Sequence, residues 1–335
     1  MDVLLAAVQP YVTLDEYMSA EAFARKLEHL LAPLADRGLP VLAVLPEEIG
    51  AFLALIGEEG VARRARTLEE AFRRIALRHL PGVLRARWRQ GAADLRAAVL
   101  LERAHSAGPA YWGTISRVAR SLGIWLVGGS ALLPPNASGR DPARYRPAGP
   151  RVYNTGVVAD PEGRIVHTVA KVNLVPGQED HIGLTPGRAE DVGVFPFAGT
   201  SVGVLICYDA FTRAHTASEP GFCPLAPALA AQGAGILVQP AANPWPWERP
   251  WPLDPTRLRR LEWEQEALEA AMAALPSVRF GVTAHLLAGF FDVAFDGRSR
   301  IFGRAPGGAV RVLAEAARAD ASPAAEGLVC ARVTV

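Results

Sequence analysis

The stretch Val202-Gly203-Val204-Leu205-Ile206-Cys207-Tyr208-Asp209 places a cysteine directly after a short apolar run rich in β-branched residues. Such a run is typical of a strand inside a sheet, and the residues after it indicate a turn. We therefore expect the Cys207 thiol at the end of a buried strand, which is a common position for a nucleophile. A lone cysteine in this place is more often a small core residue, so a catalytic role depends on partner groups elsewhere in the chain.

Similar short apolar runs recur along the chain and alternate with segments that carry apolar residues at helical spacing. This alternation predicts an α/β fold in which helices cover buried sheets. Besides 202–206, the expected strands are residues 3–8, 41–45, 124–127, 152–158, 165–169 and 236–238. The expected helices are residues 14–37, 110–122 and 255–274. We find no internal repeat or linker and expect one domain over residues 1–335.

Charged side chains follow two of the other predicted strands. Glu47 and Glu48 come after the strand at 41–45, and Lys171 comes after the strand at 165–169. A nucleophilic thiol needs a base that accepts its proton and a donor that stabilises the oxyanion formed on attack. These carboxylates and this ammonium are residue types that suit both tasks. Helix capping, solvent exposure and surface ion pairing are the alternative roles for such residues.

The composition is typical of a folded soluble protein without a strong overall charge. Of the 335 residues, 50% are apolar and 21% are charged, and 35 basic residues against 34 acidic ones give a net charge of +1. This balance argues against a global field that attracts nucleic acid or an anionic membrane. No apolar window reaches the roughly 18 residues expected of a transmembrane helix.

Three cysteines, an odd number without a CxxC pair, argue against a disulfide framework and against a zinc site. A cytoplasmic location fits this pattern best, and the residues after Met1 lack the pattern of a signal peptide. Lys26 and Lys171 are the only lysines among the 35 basic residues. Because an ammonium is smaller and loses its proton more easily than a guanidinium, each lysine is a hint of specific chemistry.

Residues 61–106, here called the basic segment, contain eleven arginines and four acidic residues. Their apolar residues fit two helices broken near Pro81-Gly82, so we expect a basic helical hairpin. A solvated helical face that covers the rest of the fold is favoured over a nucleic-acid or membrane patch.

Three motifs in chain order resemble those of the nitrilase or carbon-nitrogen hydrolase superfamily. They are Leu45-Pro46-Glu47, Ala170-Lys171-Val172-Asn173-Leu174 and Gly203-Val204-Leu205-Ile206-Cys207-Tyr208-Asp209. Weaker similarities include Val152-Tyr153-Asn154-Thr155-Gly156 and Ala241-Ala242-Asn243-Pro244. The resemblance implies a four-layer αββα sandwich in which the basic segment is an inserted helical hairpin.

The resemblance also implies a mechanism. Glu47 would take the thiol proton and return it to the leaving amine, while Cys207 attacks the substrate carbon to give a thioester or thioimidate. Lys171 and the backbone N–H of Tyr208 would hold the oxyanion. Glu179, eight residues past Lys171, matches a second glutamate that would orient the substrate and Lys171. Neither a metal nor an organic cofactor is implied.

Two choices of residue remain to be tested against the structure. Glu47 is preferred over Glu48 as the base because it directly follows the proline, and alternation along an extended strand would point Glu48 away. A Cys-His pair is the less favoured alternative for activating the thiol. The candidate histidines for that pair are His167, His181, His215 and His285.

The motifs favour hydrolysis of a linear amide or an N-carbamoyl compound, because Cys207-Tyr208-Asp209 resembles the amidase-like branches more than the nitrilases. Nitrile hydrolysis, acyl transfer on the same three residues, and a nonhydrolytic scaffold that binds a partner through the basic segment stay open. An arginine-rich lid would suit an acidic substrate. The family often forms dimers, so a homodimer or higher homo-oligomer is expected. Weak candidates for substrate binding are Tyr111, Trp112, Phe211 and Asn243.

Overall fold

The computed structural model describes residues 1–179, 181–216, 219, 221–251 and 254–335. Within them, strands and helices alternate along most of the chain, as expected. The strands are β1 Asp2–Gln9, β2 Tyr11–Val12, β3 Val41–Val44, β4 Trp125–Val127, β5 Ala131–Leu133, β6 Tyr153–Ala159, β7 Ile165–Ala170, β8 Val194–Phe197, β9 Thr200–Val204, β10 Ala234–Ala241, β11 Pro250–Trp251, β12 Asp254–Leu258, β13 Phe280–His285, β14 Leu287–Phe290, β15 Val293–Phe295, β16 Arg300–Arg304, β17 Val310–Glu315 and β18 Gly327–Thr334. The α-helices are α1 Ala20–Leu31, α2 Glu59–Ala62, α3 Leu68–Arg78, α4 Leu80–Arg85, α5 Leu95–Leu122, α6 Ala226–Ala231, α7 Arg259–Glu266 and α8 Leu268–Ala274.

Two large sheets form the centre of the molecule. The first has the strand order β18-β1-β3-β4-β6-β5, with β7 also paired to β6. The second has the order β17-β16-β13-β10-β9-β8. The central strands are parallel: β3 pairs with β1 and β4, and β10 pairs with β9 and β13. Their carboxyl ends therefore lie at one edge of each sheet, where the loops that follow them can meet.

Side-chain alternation along the strands builds the layers. Leu5 and Ala7 of β1 point into a core shared with Val204 of β9 and Val238 of β10, so the two sheets face each other. The opposite face of β1 packs with α1 and α5, and the outer face of the second sheet packs with α6 and α8. The predicted αββα sandwich is confirmed. Across the described residues, no helix is long and apolar enough to cross a membrane.

The three helices expected from the sequence exist, with different boundaries. The helix expected at 14–37 is interrupted before Ser19, whose hydroxyl oxygen accepts the Ala22 N–H at 3.0 Å and starts α1. The helix expected at 255–274 is a strand followed by α7 and α8, which meet at Ala267 in a non-helical conformation. The spacing of apolar residues does not predict such local helix breaks, because the same face of the segment stays buried on both sides of each break.

The basic segment is helical, but it is not the two-helix hairpin that the sequence predicts. Its last part is the beginning of α5, a 28-residue helix that continues into the helix expected at 110–122. The helices are broken near Pro81-Gly82 as expected, at His79 between α3 and α4, but Pro81 itself does not end a helix. It lies in the first turn of α4, where its missing N–H has no intrahelical acceptor to lose. The chain turns instead at His79 and at Gly91, whose φ of 82° suits a glycine.

Candidate active site

The loops that follow β3, β7 and β9 bring three predicted site residues together. Glu47 lies in the turn after β3, Lys171 directly follows β7, and Cys207 begins a 3-10 turn after β9. All three are buried, with exposed fractions of 2%, 1% and 4%. Two of these strands belong to the first sheet and one to the second, so the site lies where the ends of the two sheets meet.

The Lys171 ammonium lies between two buried carboxylates. It donates hydrogen bonds to Glu47 Oε1 at 2.7 Å and to Glu179 Oε2 at 2.6 Å. Asn154 on β6 donates from Nδ2 to the same two carboxylates, at 2.8 Å to Glu47 and 2.9 Å to Glu179. Buried charges are tolerated only when they are paired and hydrogen-bonded, and these contacts provide both. The network fixes the positions of Glu47, Lys171 and Glu179 relative to one another.

The Cys207 thiol faces this network. Its sulfur donates to the Ala242 carbonyl oxygen at 3.6 Å, and the charge of the nearby Glu47 acts on the thiol. The Ala242 N–H donates to Glu47 Oε2 at 3.1 Å. One backbone unit after β10 therefore holds both the thiol and the carboxylate. A base adjacent to a thiol is the arrangement that nucleophilic catalysis requires.

The backbone at Cys207 has a conformation that few non-glycine residues adopt. Its φ is 49°, in the left-handed region, and Gln239 Nε2 donates to its carbonyl oxygen at 2.9 Å. The turn that starts here, Cys207–Ala210, leaves its first N–H groups without intrahelical acceptors. The Tyr208 N–H is one of them and directly follows Cys207, so a backbone donor lies beside the sulfur.

Asp209 connects the cysteine turn to the lysine loop. Its carboxylate accepts the backbone N–H groups of Val172, at 3.2 Å, and of Asn173, at 2.7 Å. Burial raises the pKa of Asp209 to about 7, although these two backbone hydrogen bonds and the Lys171 charge act in the opposite direction. The side chain thus holds the loop that begins at Lys171 against the turn that begins at Cys207.

The pKa values of the ionisable groups in the site are shifted, and the causes of the shifts differ from group to group. Burial raises the pKa of the Cys207 thiol well above its usual value, and the nearby Glu47 charge raises it further. Burial would lower the pKa of Lys171, but the charges of Glu179 and Glu47 outweigh it and keep that pKa well above the ordinary range. Burial raises the pKa of Glu47 against the opposing Lys171 charge. The resting site therefore pairs a neutral thiol with a charged lysine, and the thiol proton must move during attack.

Glu48 does not point away from the site, contrary to the expectation from strand alternation. β3 ends at Val44, and residues 47–50 form a turn in which Glu48 has a φ of 58°. Alternation applies only to extended backbone, so it fails here. Glu48 is half-buried and lines the same cleft as Glu47. Its burial beside the charges of Glu47 and Glu179 raises its pKa to about 8.

A cleft of about 330 Å³ opens beside these residues. Glu47, Lys171 and Glu179 line it, and its other walls come from loops after β7 and β10 and from β15. The lining residues outside the network are Glu48, Leu68, Gln178, Ile182, Ala242, Pro244, Asp292, Val293 and Phe295. The basic segment contributes Leu68 to this wall.

None of the four weak candidates for substrate binding is among the described residues that line this cleft. Tyr111 is fully buried under the first sheet and donates its hydroxyl to the Gly128 carbonyl at 3.0 Å. Trp112 packs on Tyr145. Phe211 packs edge-on against Trp263, and Asn243 accepts a hydrogen bond from Arg259 at 2.9 Å. All four have packing or bonding roles inside the fold.

The four histidines of the alternative Cys-His pair lie in other contacts. His181 is exposed, and its backbone carbonyl oxygen accepts a hydrogen bond from Arg96 at 2.8 Å. His215 stacks on the Tyr208 ring, and its Nδ1 is 2.9 Å from Glu262. His285 packs between Trp247 and Trp263, and His167 packs on Phe195. The side chain that shares the Ala242 backbone unit with the Cys207 thiol is instead Glu47.

A family model described as carbon-nitrogen hydrolase matches residues 6–304. The chain belongs to the carbon-nitrogen hydrolase family. This match covers the three loops that carry Glu47, Lys171 and Cys207. The chain is therefore an enzyme of this family, and the resemblance inferred from its motifs is confirmed.

Solved structures confirm the fold of this carbon-nitrogen hydrolase. An amidase from Nesterenkonia sp. AN1 superposes with a TM-score of 0.58 at 18% identity, over 100% of this chain and 93% of that chain. Another structure of that amidase, described as from the nitrilase superfamily, gives 0.57 at 18% identity over 100% and 92%. A carbon-nitrogen hydrolase from Helicobacter pylori G27 gives 0.59 at 16% identity over 99% and 88%. No curated protein sequence matches the chain.

Two groups that contact the site were not assigned a role from the sequence. Asn154 lies in the motif at 152–156 and Ala242 in the motif at 241–244, both quoted above only as weak similarities. The signal for Asn154 is a polar residue in an otherwise apolar strand, which has to find buried partners. The role of Ala242 rests on its backbone, and no side-chain pattern reveals it.

Replacing Glu48 by glutamine should change how this carbon-nitrogen hydrolase responds to alkaline pH. Below about pH 8 Glu48 is neutral, and above it the carboxylate adds a negative charge beside Glu47 and Glu179. We expect kcat/KM of the parent to fall above about pH 8, and Glu48→Gln to stay active there. If Glu47 is the base, both should share an acid limb above the ordinary glutamate pKa, because burial raises the pKa of Glu47. The pH profiles of kcat/KM for both proteins measure this, and an unchanged alkaline limb in the variant would refute the assignment.

Proposed function

We propose that this carbon-nitrogen hydrolase cleaves amides through a covalent thioester on Cys207, with Glu47 as base and Lys171 as oxyanion donor. The observation that carries the proposal is the Ala242 backbone unit, whose carbonyl oxygen accepts from the Cys207 thiol at 3.6 Å and whose N–H donates to Glu47, which is itself bound to Lys171 at 2.7 Å. A neutral thiol, an adjacent base and a fixed cation are the three groups that acyl transfer to a thiol needs.

The first half-reaction forms the thioester. Glu47 accepts the thiol proton as the sulfur attacks the amide carbon, and the carbonyl oxygen becomes an oxyanion. Lys171 Nζ and the Tyr208 N–H stabilise that oxyanion. The tetrahedral intermediate collapses with cleavage of the C–N bond, and Glu47 gives its proton to the leaving amine.

The second half-reaction releases the acid. Glu47, ionised again after the amine has left with the proton, takes a proton from water as the water oxygen attacks the thioester carbon. Collapse of the new tetrahedral intermediate breaks the C–S bond and returns the proton to the sulfur. The products are a carboxylic acid and the free thiol, and no oxidant, reductant or metal takes part in this balance.

Glu179 and Asn154 act in this proposal as positioning residues. Both hold the Glu47–Lys171 pair, and Glu179 also accepts the backbone N–H of Val175 at 2.9 Å. With Glu179 on one side and Glu47 on the other, the ammonium has a fixed direction. An ammonium held in place needs no reorganisation when the oxyanion forms, which is the basis of electrostatic stabilisation.

Solved relatives provide support at the level of chemistry. One structure shows an amidase variant from Nesterenkonia sp. AN1 with acrylamide added at its active-site cysteine, and another shows the acetamide moiety of fluoroacetamide attached there. These adducts belong to that protein. They agree with an amide site beside the corresponding thiol here.

Ammonia release tests the proposal. The parent should release ammonia from simple primary amides, whereas Glu47→Gln should lose about 10²–10⁴-fold in kcat, the usual contribution of a general base. Glu48→Gln, the adjacent glutamate, is the matched control and should retain activity at neutral pH. Nitriles, N-carbamoyl acids and added hydroxylamine test nitrile hydrolysis, decarbamoylation and acyl transfer in parallel. Equal losses in the two variants, or no turnover of any amide, would overturn the proposal.

Four other expectations from the sequence stay proposals: a single domain over 1–335, an insertion at 61–106, a homodimer or higher oligomer, and a cytoplasmic location. The shared core between the two sheets supports the first. The helical structure of α2–α5 supports the second.

A further inference from the structure

A second cavity lies behind the cleft, beneath the basic segment. Its volume is about 80 Å³ and its walls are apolar. Phe72 and Ile75 of α3, Val99 and Leu100 of α5, and Phe52 and Leu55 of the turn at 51–55 are among the lining residues. Since one water needs about 10–15 Å³ of such volume, the cavity holds a group of about five non-hydrogen atoms.

This inner cavity is next to the catalytic cleft. Glu48, Leu68 and Ile182 line both, so they separate the two spaces. Glu48 is the one charged side chain among the described residues that line the inner cavity. Its pKa of about 8 makes it mainly neutral at neutral pH, so an apolar group that passes it meets no fixed charge.

The arginines of the basic segment lie elsewhere. Arg63 and Arg78 each have exposed fractions of 63%, and no described arginine lines either cavity. Arg103, which is buried, donates to the backbone carbonyls of Ala54 and Ile56. The acidic-substrate hypothesis assumed a basic inner surface. The basic segment instead presents its apolar side chains to the site.

Resting on the proposed amide hydrolysis, we propose that the inner cavity binds the acyl chain of the substrate, an unbranched aliphatic amide of about five carbons. Apart from Glu48, which borders the cleft, every described lining residue of this cavity is apolar, so a carboxylate or a second amide that extends past Glu48 has no partner. Desolvation of such a polar group would be uncompensated there.

The order of product release decides which end of the substrate enters. The amine leaves first, while the acyl group is still bound to Cys207. An amine held in the inner cavity would have to pass the thioester to reach solvent, whereas an amine in the outer cleft leaves directly. The acyl chain therefore belongs in the inner cavity.

A series of primary amides from ethanamide to heptanamide tests this assignment. For the parent, kcat/KM should rise about fourfold per methylene up to about five carbons, the change that corresponds to about 0.8 kcal/mol for each buried methylene. Two matched series act as discriminators. One carries a terminal carboxylate on the acyl chain, and the other consists of N-alkyl ethanamides, which extend the amine side.

Ala71→Leu should shorten the preferred chain, because Ala71 lines the cavity and the larger side chain fills it. We expect kcat/KM for pentanamide to fall about tenfold or more, with ethanamide changed by less than about threefold. Arg73→Leu introduces the same residue on the exposed face of α3 and should alter neither. If Ala71→Leu does not fold, Phe72→Ala enlarges the cavity and should shift the preference to longer chains.

The outcomes separate this inference from the proposed function. If no amide of any length acylates Cys207, the proposed function fails. If amides are hydrolysed but kcat/KM does not depend on acyl length, the inner cavity is not the acyl site. Preference for the carboxylate series, a gain confined to the N-alkyl series, or equal loss on all amides in Ala71→Leu would likewise overturn it.

Discussion

Replacement of Cys207 by serine is expected to reduce kcat/KM for any amide substrate by roughly 10⁴-fold or more, the scale at which loss of a nucleophile acts. Serine nearly matches the size of cysteine, so the turn at 207–210 and its unusual φ of 49° should persist. The hydroxyl, however, is a far weaker acid than the thiol, and Glu47 is too weak a base to deprotonate it during attack. Steady-state ammonia release from parent and variant measures the difference.

The other two cysteines provide the controls. Cys223 is half-buried, and Cys330 lies on β18 at the far edge of the first sheet. Cys223→Ser and Cys330→Ser should each keep kcat/KM within about threefold of the parent, since Cys223 contacts Asn173 through its backbone and Cys330 lies on an edge strand, whereas Cys207 shares the Ala242 backbone unit with Glu47. If Cys207→Ser retained comparable activity, the thiol would not be the nucleophile.

Replacement of Lys171 by methionine is expected to lower the free energy of unfolding by about 3–5 kcal/mol, the usual result of removing one partner from a buried ion pair. The Glu47 and Glu179 carboxylates, both bound to Nζ in the parent, would face each other without a cation. Because the pKa of Glu47 is raised by burial and loses the opposing Lys171 charge, the loss should be small in acid and grow as the pH rises to neutrality. Urea denaturation at several pH values measures both effects.

Lys26 is a matched control, as the one other lysine in the chain. It pairs with Glu326 at 2.5 Å, with side chains 17% and 24% exposed, so Lys26→Met should cost at most about 1 kcal/mol. A double variant, Lys171→Met with Glu179→Gln, should regain part of the stability but not the activity. Equal stability losses for the two lysines would show that the Lys171 network is not a buried ion cluster.

Much of the fold and the central three residues could be predicted from the chain alone. Apolar runs predict buried strands. The side chains of Glu47, Lys171 and Cys207 can be picked out because each one follows such a run. Predictions from the sequence were wrong where the local backbone departs from regular strand or helix geometry. Glu48 turns toward the cleft because β3 has already ended, and Pro81 starts a helix instead of ending one.

Tertiary contacts set a second limit. The role of Asn154 depends on two carboxylates that are 107 and 25 positions away in the sequence. The role of Ala242 depends on its backbone alone. The arginines of the basic segment dominate its composition, yet its side chains that line the cleft or the inner cavity are apolar: Leu68, Ala71, Phe72, Ile75, Val99 and Leu100. The composition of a segment therefore does not identify which of its side chains line a pocket and which face solvent.

The most direct test of the central claim is intact-protein mass spectrometry of Glu47→Gln during brief exposure to pentanamide, followed by peptide mapping. Attack without the base is slow, but hydrolysis of the thioester also needs Glu47, so the acyl-enzyme should accumulate. We predict that the mass of Glu47→Gln increases by one acyl group less one hydrogen. The acyl group should lie on the peptide that contains Cys207 and should be absent from Cys207→Ser. An acyl group on any other residue, or turnover by Cys207→Ser at the parent rate, would contradict it.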